Sequence, residues 1–322
     1  MNEQSIGAVI DAPKIIDNRD AWLEARRTSV TATDAAAVMG VHPYKTPREV
    51  YLDKKGLLPE VQDNRFMEWG RTLEPVIGKK WSENNGLPIV QGDFTRHPKE
   101  PYFAATPDFL VGDDAVLEVK TAGHFAGENF GESGTDAVPT QYLVQVLWQC
   151  FVTGRTKWHL AVLIGGNDYR EFKGVADSDL IQRMAHLCRK FWHEYILSDC
   201  PPPLTGHERD TDLVTKQHPE DDGSEVVATW ELEEIIAELG HLRAELQAKE
   251  LRKTQLENQI KEFMGDATKL RSQEGFFTWK ASGRKVVNWK EIAKHVGQEF
   301  IEANTTLVPT RTFRTPWKSD RA

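Results

Sequence analysis

The spacing of hydrophobic and polar positions changes several times along the chain, and each change predicts an element. Thr46-Pro47-Arg48-Glu49 reads as a helix start: a capping threonine, proline in the first position and a glutamate completing a capping box, with Gly56 suiting the stop. A longer helical pattern from about Phe66 to Asn85 groups Phe66, Trp69, Leu73, Val76 and Ile77 roughly on one face and ends at Gly86. Pro75 is expected to kink or loosen it, because proline supplies no backbone donor. Leu87–His97, Tyr102–Ala105 and Ala115–Lys120 are extended pieces rich in strand formers and broken by Pro, Gly and Asp. Gly123–Pro139 is glycine-rich and polar and is expected to be a mobile loop. Residues 140–153 form an apolar, helix-like stretch ending before Gly154. Thr156–Ile164 and Tyr169–Val175 then pair as strands across Gly165-Gly166-Asn167-Asp168, and Asp177–Leu197 is an amphipathic helix. This alternation predicts an α/β (α+β) protein with a central mixed sheet flanked by helices.

Beyond Leu197 the pattern shifts. Asp199–Glu225 is proline-rich and then acidic, and reads as a linker. From Leu232 a heptad seam runs through Leu232, Ile235, Leu239, Leu242, Leu246, Lys249, Lys253, Leu256, Ile260 and Phe263. Eight of these ten are apolar, which predicts a helical hairpin or coiled-coil segment with a polar break in its middle. Gly265 suits a C-terminal cap, Phe276–Lys280 is strand-like, and a helix opens at Asn288-Trp289-Lys290-Glu291. The expected organisation is a core over residues 1–198, a linker over 199–228, a long helix or coiled-coil arm over 229–264 and a small basic extension over 265–322.

At 322 residues, 39% hydrophobic and 28% charged, the chain is long enough for one large domain or a core with an appendage. It has no apolar run of membrane-spanning length, and MNEQSIGAVIDAPK lacks the regions of a signal peptide, so a soluble cytoplasmic protein with no membrane contact is expected. Its three cysteines form no CxxC pair, which argues against a disulfide framework or zinc knuckle. The formal charge of −9 argues at first against nucleic acid as a partner. Its distribution weakens that objection: residues 265–322 hold 11 basic against 6 acidic side chains, and acidic residues upstream can serve as metal ligands.

The chemistry concentrates in Thr106-Pro107-Asp108 and, after nine intervening residues, in Glu118-Val119-Lys120. On a strand, Glu118 and Lys120 point the same way while Val119 packs inward, and a hairpin brings Asp108 beside Glu118. Two hard oxygen ligands suit Mg²⁺ or Mn²⁺, which activates water and neutralises charge on a phosphate. Lys120 then has a positioning and electrostatic role. Alone, the same pattern also fits a surface hairpin with a salt bridge. Further candidates are Glu74, on a helix ahead of the strands, and Tyr142 and Gln145, three apart on the following helix. Arg26, Thr31 and Thr33, just before a helix-like Ala35–Met39, can make a phosphate site, although the threonines equally suit plain capping.

WLEARRTSVTATDAAAVMGVHPY, MEWGRTLEPVIG, ATPDFLV, LEVKT, PTQYLVQ and VTG…AVLIGG occur in that order over about residues 20–198. With them the chain resembles the YqaJ-like family of viral recombination exonucleases, which includes the bacteriophage lambda exonuclease. The resemblance implies a restriction-endonuclease-like core that digests one strand of duplex DNA from its 5′ end, leaving 3′ tails for recombination. It implies Asp108 and Glu118 as metal ligands, assisted by the Val119 carbonyl. Lys120 becomes catalytic, Glu74 and Gln145 complete the site, and Arg26 and Thr33 hold the 5′ phosphate, with Thr31 and Thr106 beside them. Thr33 and Thr106 stand where many relatives have serine. The resemblance further implies Mg²⁺, with Mn²⁺ substituting, a ring-shaped homotrimer acting on double-stranded DNA ends, and a phage single-strand annealing protein as partner. The rival readings are a non-catalytic DNA-end-binding scaffold, an endonuclease on the same core, and a coiled-coil assembly protein, the last explaining only residues 229–264.

Overall fold

The computed structural model describes residues 19–59, 64–283, 292 and 294–305. Four helices precede the sheet: α1 (Arg19–Arg27), α2 (Ala32–Val38), α3 (Pro47–Lys54) and α4 (Arg65–Asn85). α3 opens with the expected reciprocal cap, in which Glu49 N–H donates to the Thr46 hydroxyl at 3.2 Å and Thr46 N–H donates to the Glu49 carboxylate at 3.0 Å. α4 continues through Pro75 and stops at Gly86, whose φ of +63° is the left-handed conformation that glycine adopts without a Cβ clash.

The buried face of α4 differs from the expected one. Ile77, Gly78, Trp81 and Ser82 are buried, whereas Phe66, Trp69 and Val76 are 83%, 58% and 62% exposed. Leu73, Ile77 and Trp81 make one i, i+4 row that packs on the sheet. Trp69 starts the same row one turn before Leu73 and is exposed there, Val76 lies on the row's flank, and Phe66 is in the first turn. The helix comes close to the sheet because residue 78 is glycine: a Cβ there would lie 2.4 Å from the Phe109 ring.

The main sheet has five strands in the order β1-β4-β5-β6-β7: β1 (Ile89–Gln91), β4 (Phe109–Val111), β5 (Ala115–Ala122), β6 (Lys157–Ile164) and β7 (Asp168–Val175). The β5–β6 pair is parallel and the other three pairs are antiparallel. The piece expected as one strand over Leu87–His97 is divided into β1 and β2 (Thr95–Arg96), and β2 pairs with β3 (Ala104–Ala105) in a separate ribbon. A parallel neighbour requires a crossover. It runs through α5 (His124–Gly127), a short helix inside the stretch expected as loop, and α6 (Thr140–Thr153). α6 is buried around most of its circumference, and its Trp148 indole donates to the Ala104 carbonyl at 3.1 Å.

Strand β5 therefore lies between two cores. Leu117 and Val119 pack with Ile77 and Trp81 of α4, while Val116 belongs to the cluster that includes Val146 and Trp148 of α6. This alternation decides where the charged side chains of β5 go. The fold agrees with the expected mixed sheet flanked by helices.

α7 (Ser178–Phe191) starts at the capping carboxylate of Asp177 and runs on as a π-helical turn over Trp192–Leu197. The segment expected as a linker then contains α8 (Glu208–Gln217). Asp210, 2% exposed, accepts the Thr46 hydroxyl and the Thr205 N–H, each at 2.6 Å, and Arg209 pairs with Glu49 at 2.7 Å. The first compact unit accordingly ends at Val214, beyond the expected boundary at 198, and the second begins at Thr215. Residues 218–229 have neither helix nor strand.

In the second unit α9 (Trp230–Met264) is one unbroken 35-residue helix, so the hairpin alternative does not hold. β8 (Lys269–Ser272) and β9 (Gly275–Thr278) form an antiparallel ribbon, and α10 (Gln298–Ala303) follows. The helix start at Asn288 lies outside the described residues. Among the described residues no helix is long and apolar enough to cross a membrane.

Candidate active site

The β4–β5 hairpin sets the register of the acidic pair. Phe109 is paired with Leu117, so Asp108, just before the one, and Glu118, just after the other, come to the same end of the hairpin. Gly92 allows the turn before Asp108: its N–H donates to the Asp108 carbonyl at 3.1 Å, and a Cβ there would lie 2.1 Å from the Pro107 carbonyl oxygen. The Asp108 carboxylate accepts the Val119 N–H at 2.7 Å, which fixes it against β5.

Glu118 and Lys120 share the face of β5 turned toward α6. Glu118 is 1% exposed. Its Oε1 accepts from the Lys120 ammonium and the Gln145 amide, and its Oε2 accepts from the Gln149 amide at 2.6 Å. Lys120 Nζ also lies 5.4 Å from the centre of the Tyr142 ring. Thus Asp108, Glu118, Lys120, Tyr142 and Gln145 are brought together. Gln149 is a residue that the sequence reading missed. It is fully buried, and its Oε1 has no hydrogen-bond partner among the described residues. The available signal was a second amide one turn beyond Gln145 in an apolar helix.

On the α4 side of the same strand end is a cavity of about 310 Å³ lined by Arg71 and Glu74 of α4 together with Asp108, Val119, Lys120 and Thr121. Glu74 and Asp108 thus line one cavity, together with Arg71, a residue that the sequence reading missed. Burial pushes the Asp108 carboxyl well above its usual range, and the charges of Glu118 and Glu74 add to that, with Lys120 opposing. Burial works against the Lys120 ammonium, but Glu118 and Asp108 outweigh it and hold it above the ordinary lysine range. Lys120 is therefore a cation at neutral pH.

The residues expected at a 5′ phosphate are placed less uniformly. Val30 hydrogen-bonds both ways with the strand leading to Asp108, Val30 N–H to Tyr102 carbonyl at 2.7 Å and Ala104 N–H to Val30 carbonyl at 3.0 Å. This ties the residue two before α2 to that strand. The Thr31 hydroxyl and N–H both donate to Asp34, at 2.7 and 3.0 Å, and Thr31 is buried, so its hydroxyl proton serves the cap of α2. Arg26 contacts the Thr31 oxygen at 3.5 Å and lies over the Trp22 ring, while Thr33 and Thr106 are half-buried.

The donor set fits a hard divalent cation. Asp108, Glu118 and the Val119 carbonyl are all oxygen ligands, and a small dication commonly takes one or two carboxylates, with water and substrate completing its shell. Burial first, and then the charges of Glu118 and Glu74, raise the Asp108 carboxyl, and a dication held beside it would favour its charged form. Among the described residues no cluster of three or more His, Cys, Asp or Glu side chains is already closed into a metal cage.

Residues 21–156 match the family described as the YqaJ-like viral recombinase domain, a stretch that contains every candidate from Arg26 to Gln149. The chain is 28% identical over 304 residues to the uncharacterized protein YqaJ of Bacillus subtilis (strain 168), covering 92% of this chain and 93% of that one. It is also 28% identical over 152 residues to the uncharacterized protein R354 of Acanthamoeba polyphaga mimivirus, covering 44% and 28% respectively. Among solved structures, it is similar to an alkaline exonuclease (LHK-Exo) from Laribacter hongkongensis, with 20% identity and a TM-score of 0.46 over 62% of this chain and 100% of that one. A phage-related exonuclease from Haemophilus somnus 129PT gives 14% identity and a TM-score of 0.38, covering 59% and 92%.

Proposed function

With the YqaJ-like viral recombinase match over residues 21–156 as premise, we propose that this chain is a metal-dependent DNA exonuclease that digests one strand of linear duplex from its 5′ end and leaves 3′ single-stranded tails. The observation that carries the reading is the convergence of Asp108, Glu118, Lys120 and Gln145 at one strand end, beside a cavity that also holds Glu74.

Each side chain has a distinct task. Asp108 and Glu118, with the Val119 carbonyl, hold Mg²⁺ or Mn²⁺, which when bound activates water and offsets charge on the scissile phosphate. Lys120 keeps its proton and stabilises negative charge as the phosphodiester bond breaks. Gln145 holds one oxygen of Glu118, and Glu74 lines the cavity along with Asp108. Arg26 provides a planar fork for the terminal phosphate, with Thr33 and Thr106 as hydroxyl partners. Holding that phosphate keeps the next bond in line with the acids. Double-stranded DNA ends are the substrate, a homotrimeric ring is the assembly, and a single-strand annealing protein is the partner, each following from the resemblance.

The test is digestion of an end-labelled linear duplex beside a closed circle of the same sequence, with Mg²⁺ and with EDTA. Loss of the linear duplex from its 5′ ends, dependent on metal, is expected. Cutting of the circle would instead indicate an endonuclease. End binding without cleavage would indicate a scaffold.

A further inference from the structure

We propose that α9 pairs antiparallel with α9 of a second copy of this chain, through the heptad seam from Leu232 to Phe263. The helix has 35 residues, which at ~1.5 Å per residue makes it roughly 50 Å long. Its seam lies in water for most of that length: Ile235 is 60% exposed, Leu246 65% and Phe263 80%. Five consecutive heptads give a partner helix a continuous line of contact.

The charges along the seam select both the partner and its direction. With Leu232 in the first seam position, Glu238, Glu245 and Arg252 lie on one flank, and Arg243, Glu250 and Glu257 on the other. In a parallel pair in register, Lys249 would face Lys249 and Lys253 would face Lys253 inside the seam, and Glu245 would meet Glu250 beside it. All three are like-charge contacts, set against the attractive Glu238–Arg243 and Arg252–Glu257 pairs of the same arrangement, and only this arrangement buries lysine against lysine in the seam. In an antiparallel pair with Leu232 layered on Phe263, each lysine faces a leucine, Lys249 against Leu246 and Lys253 against Leu242. The lysine stem then covers the apolar partner while its ammonium reaches water. The flanks also become complementary, Glu245 opposite Arg252 and Arg243 opposite Glu250. Two-fold symmetry repeats each pair, giving four attractive pairs and no like-charge contact. The same segment supplies both halves of every pair, so a second copy of this chain is the occupant that fits.

Such a contact is isologous and closes on itself. It doubles whatever assembly the rest of the chain makes, to two chains if that part is monomeric and to six, with dihedral symmetry, if it forms the proposed ring. The proposal is therefore independent of the nuclease reading.

The experiment is the molar mass of the full-length protein by light scattering and sedimentation over a concentration series. Leu239→Glu combined with Leu256→Glu sets like charges against each other in two antiparallel layers and is expected to halve the mass. Glu245→Arg alone is expected to weaken the pairing at least tenfold, and Glu245→Arg with Arg252→Glu to restore it. Equal mass for wild type and the Leu239→Glu, Leu256→Glu protein, with α9 still helical by circular dichroism, overturns the proposal. So does stronger pairing in Glu245→Arg, which removes a repulsion only in the parallel arrangement. If the doubly substituted protein loses its helix, the Glu245→Arg and Arg252→Glu comparison decides alone.

Discussion

The carboxylate of Glu118 takes three hydrogen bonds and has almost no contact with water, so its orientation is set by its neighbours. Lys120 and Gln149 hold opposite oxygens, and their replacements should differ. Lys120→Ala removes the cation itself and is expected to cost at least ~10²-fold in cleavage rate while duplex binding persists. Gln149→Leu removes a bond behind the site. About 10- to 100-fold loss, with a raised metal half-saturation and little change in melting temperature, is expected, and unchanged metal dependence would show that Gln149 only fills space. The grouping of Glu118 with Lys120 was legible in the sequence because strand alternation dictates which side chains share a face, and that of Asp108 because a hairpin returns it beside Glu118. Gln149 was not, because a glutamine in an apolar helix fits a satisfied core amide equally well until the helix is docked. Asp34 shows the same ambiguity in a structural role. It is fully buried and opposed by burial, but Lys45, Lys54 and Arg26 hold its carboxyl well below 3.8. Lys45 is raised in turn, whereas Lys54, 1% exposed on its side chain, is lowered because burial outweighs its bond to Asp34. A depressed carboxyl stabilises the fold above its unfolded value, and that contribution is lost as pH falls through the folded value. Asp34→Asn should therefore cost about 3–5 kcal/mol at neutral pH and flatten the acid limb of the stability curve, both readable from urea unfolding at several pH values. A variant as stable as wild type at pH 7 would refute this.

At the scale of elements, the site depends on how closely α4, β1 and β4 approach the β5 strand end. Gly92 is the tightest point: the obstacle to a Cβ there is the Pro107 backbone, which cannot rotate away as a side chain can. Gly92→Ala should displace the turn that presents Asp108, costing about 1–3 kcal/mol and most of the cleavage activity. Gly123→Ala, with open space around the glycine, is the control and should melt close to wild type. Elements with a single strong period were legible: α6 over 140–153 agrees with its apolar run, and β6 and β7 flank their glycine turn. The face of α4 was misjudged because apolar residues occupy a wider arc of that helix than the sheet can cover. α8 was hidden for a different reason. It is bound to the core through Leu213 together with Asp210 and Arg209, and a buried acid and an ion pair look in a sequence like solvent-facing linker.

At the scale of the whole molecule, all candidate catalytic and phosphate-binding residues fall between Arg26 and Gln149, inside the first compact unit, and the heptad seam falls inside the second. The candidate chemistry and the proposed copy-to-copy contact thus fall in separate parts of the chain. Between them, residues 218–229 have neither helix nor strand, and Val226 and Val227 are 86% and 92% exposed. A protease needs several residues of extended backbone to occupy its cleft, and this stretch offers them without prior unfolding. Brief treatment with a low-specificity protease should therefore cut first between His218 and Thr229, releasing an N-terminal fragment that still degrades DNA in Mg²⁺ and a C-terminal fragment that does not. First cuts inside Gly123–Pro139 would show that the loop beside the site opens more readily. In a cell, such a nick would act as a one-way change of state, leaving the active site intact while severing it from the arm.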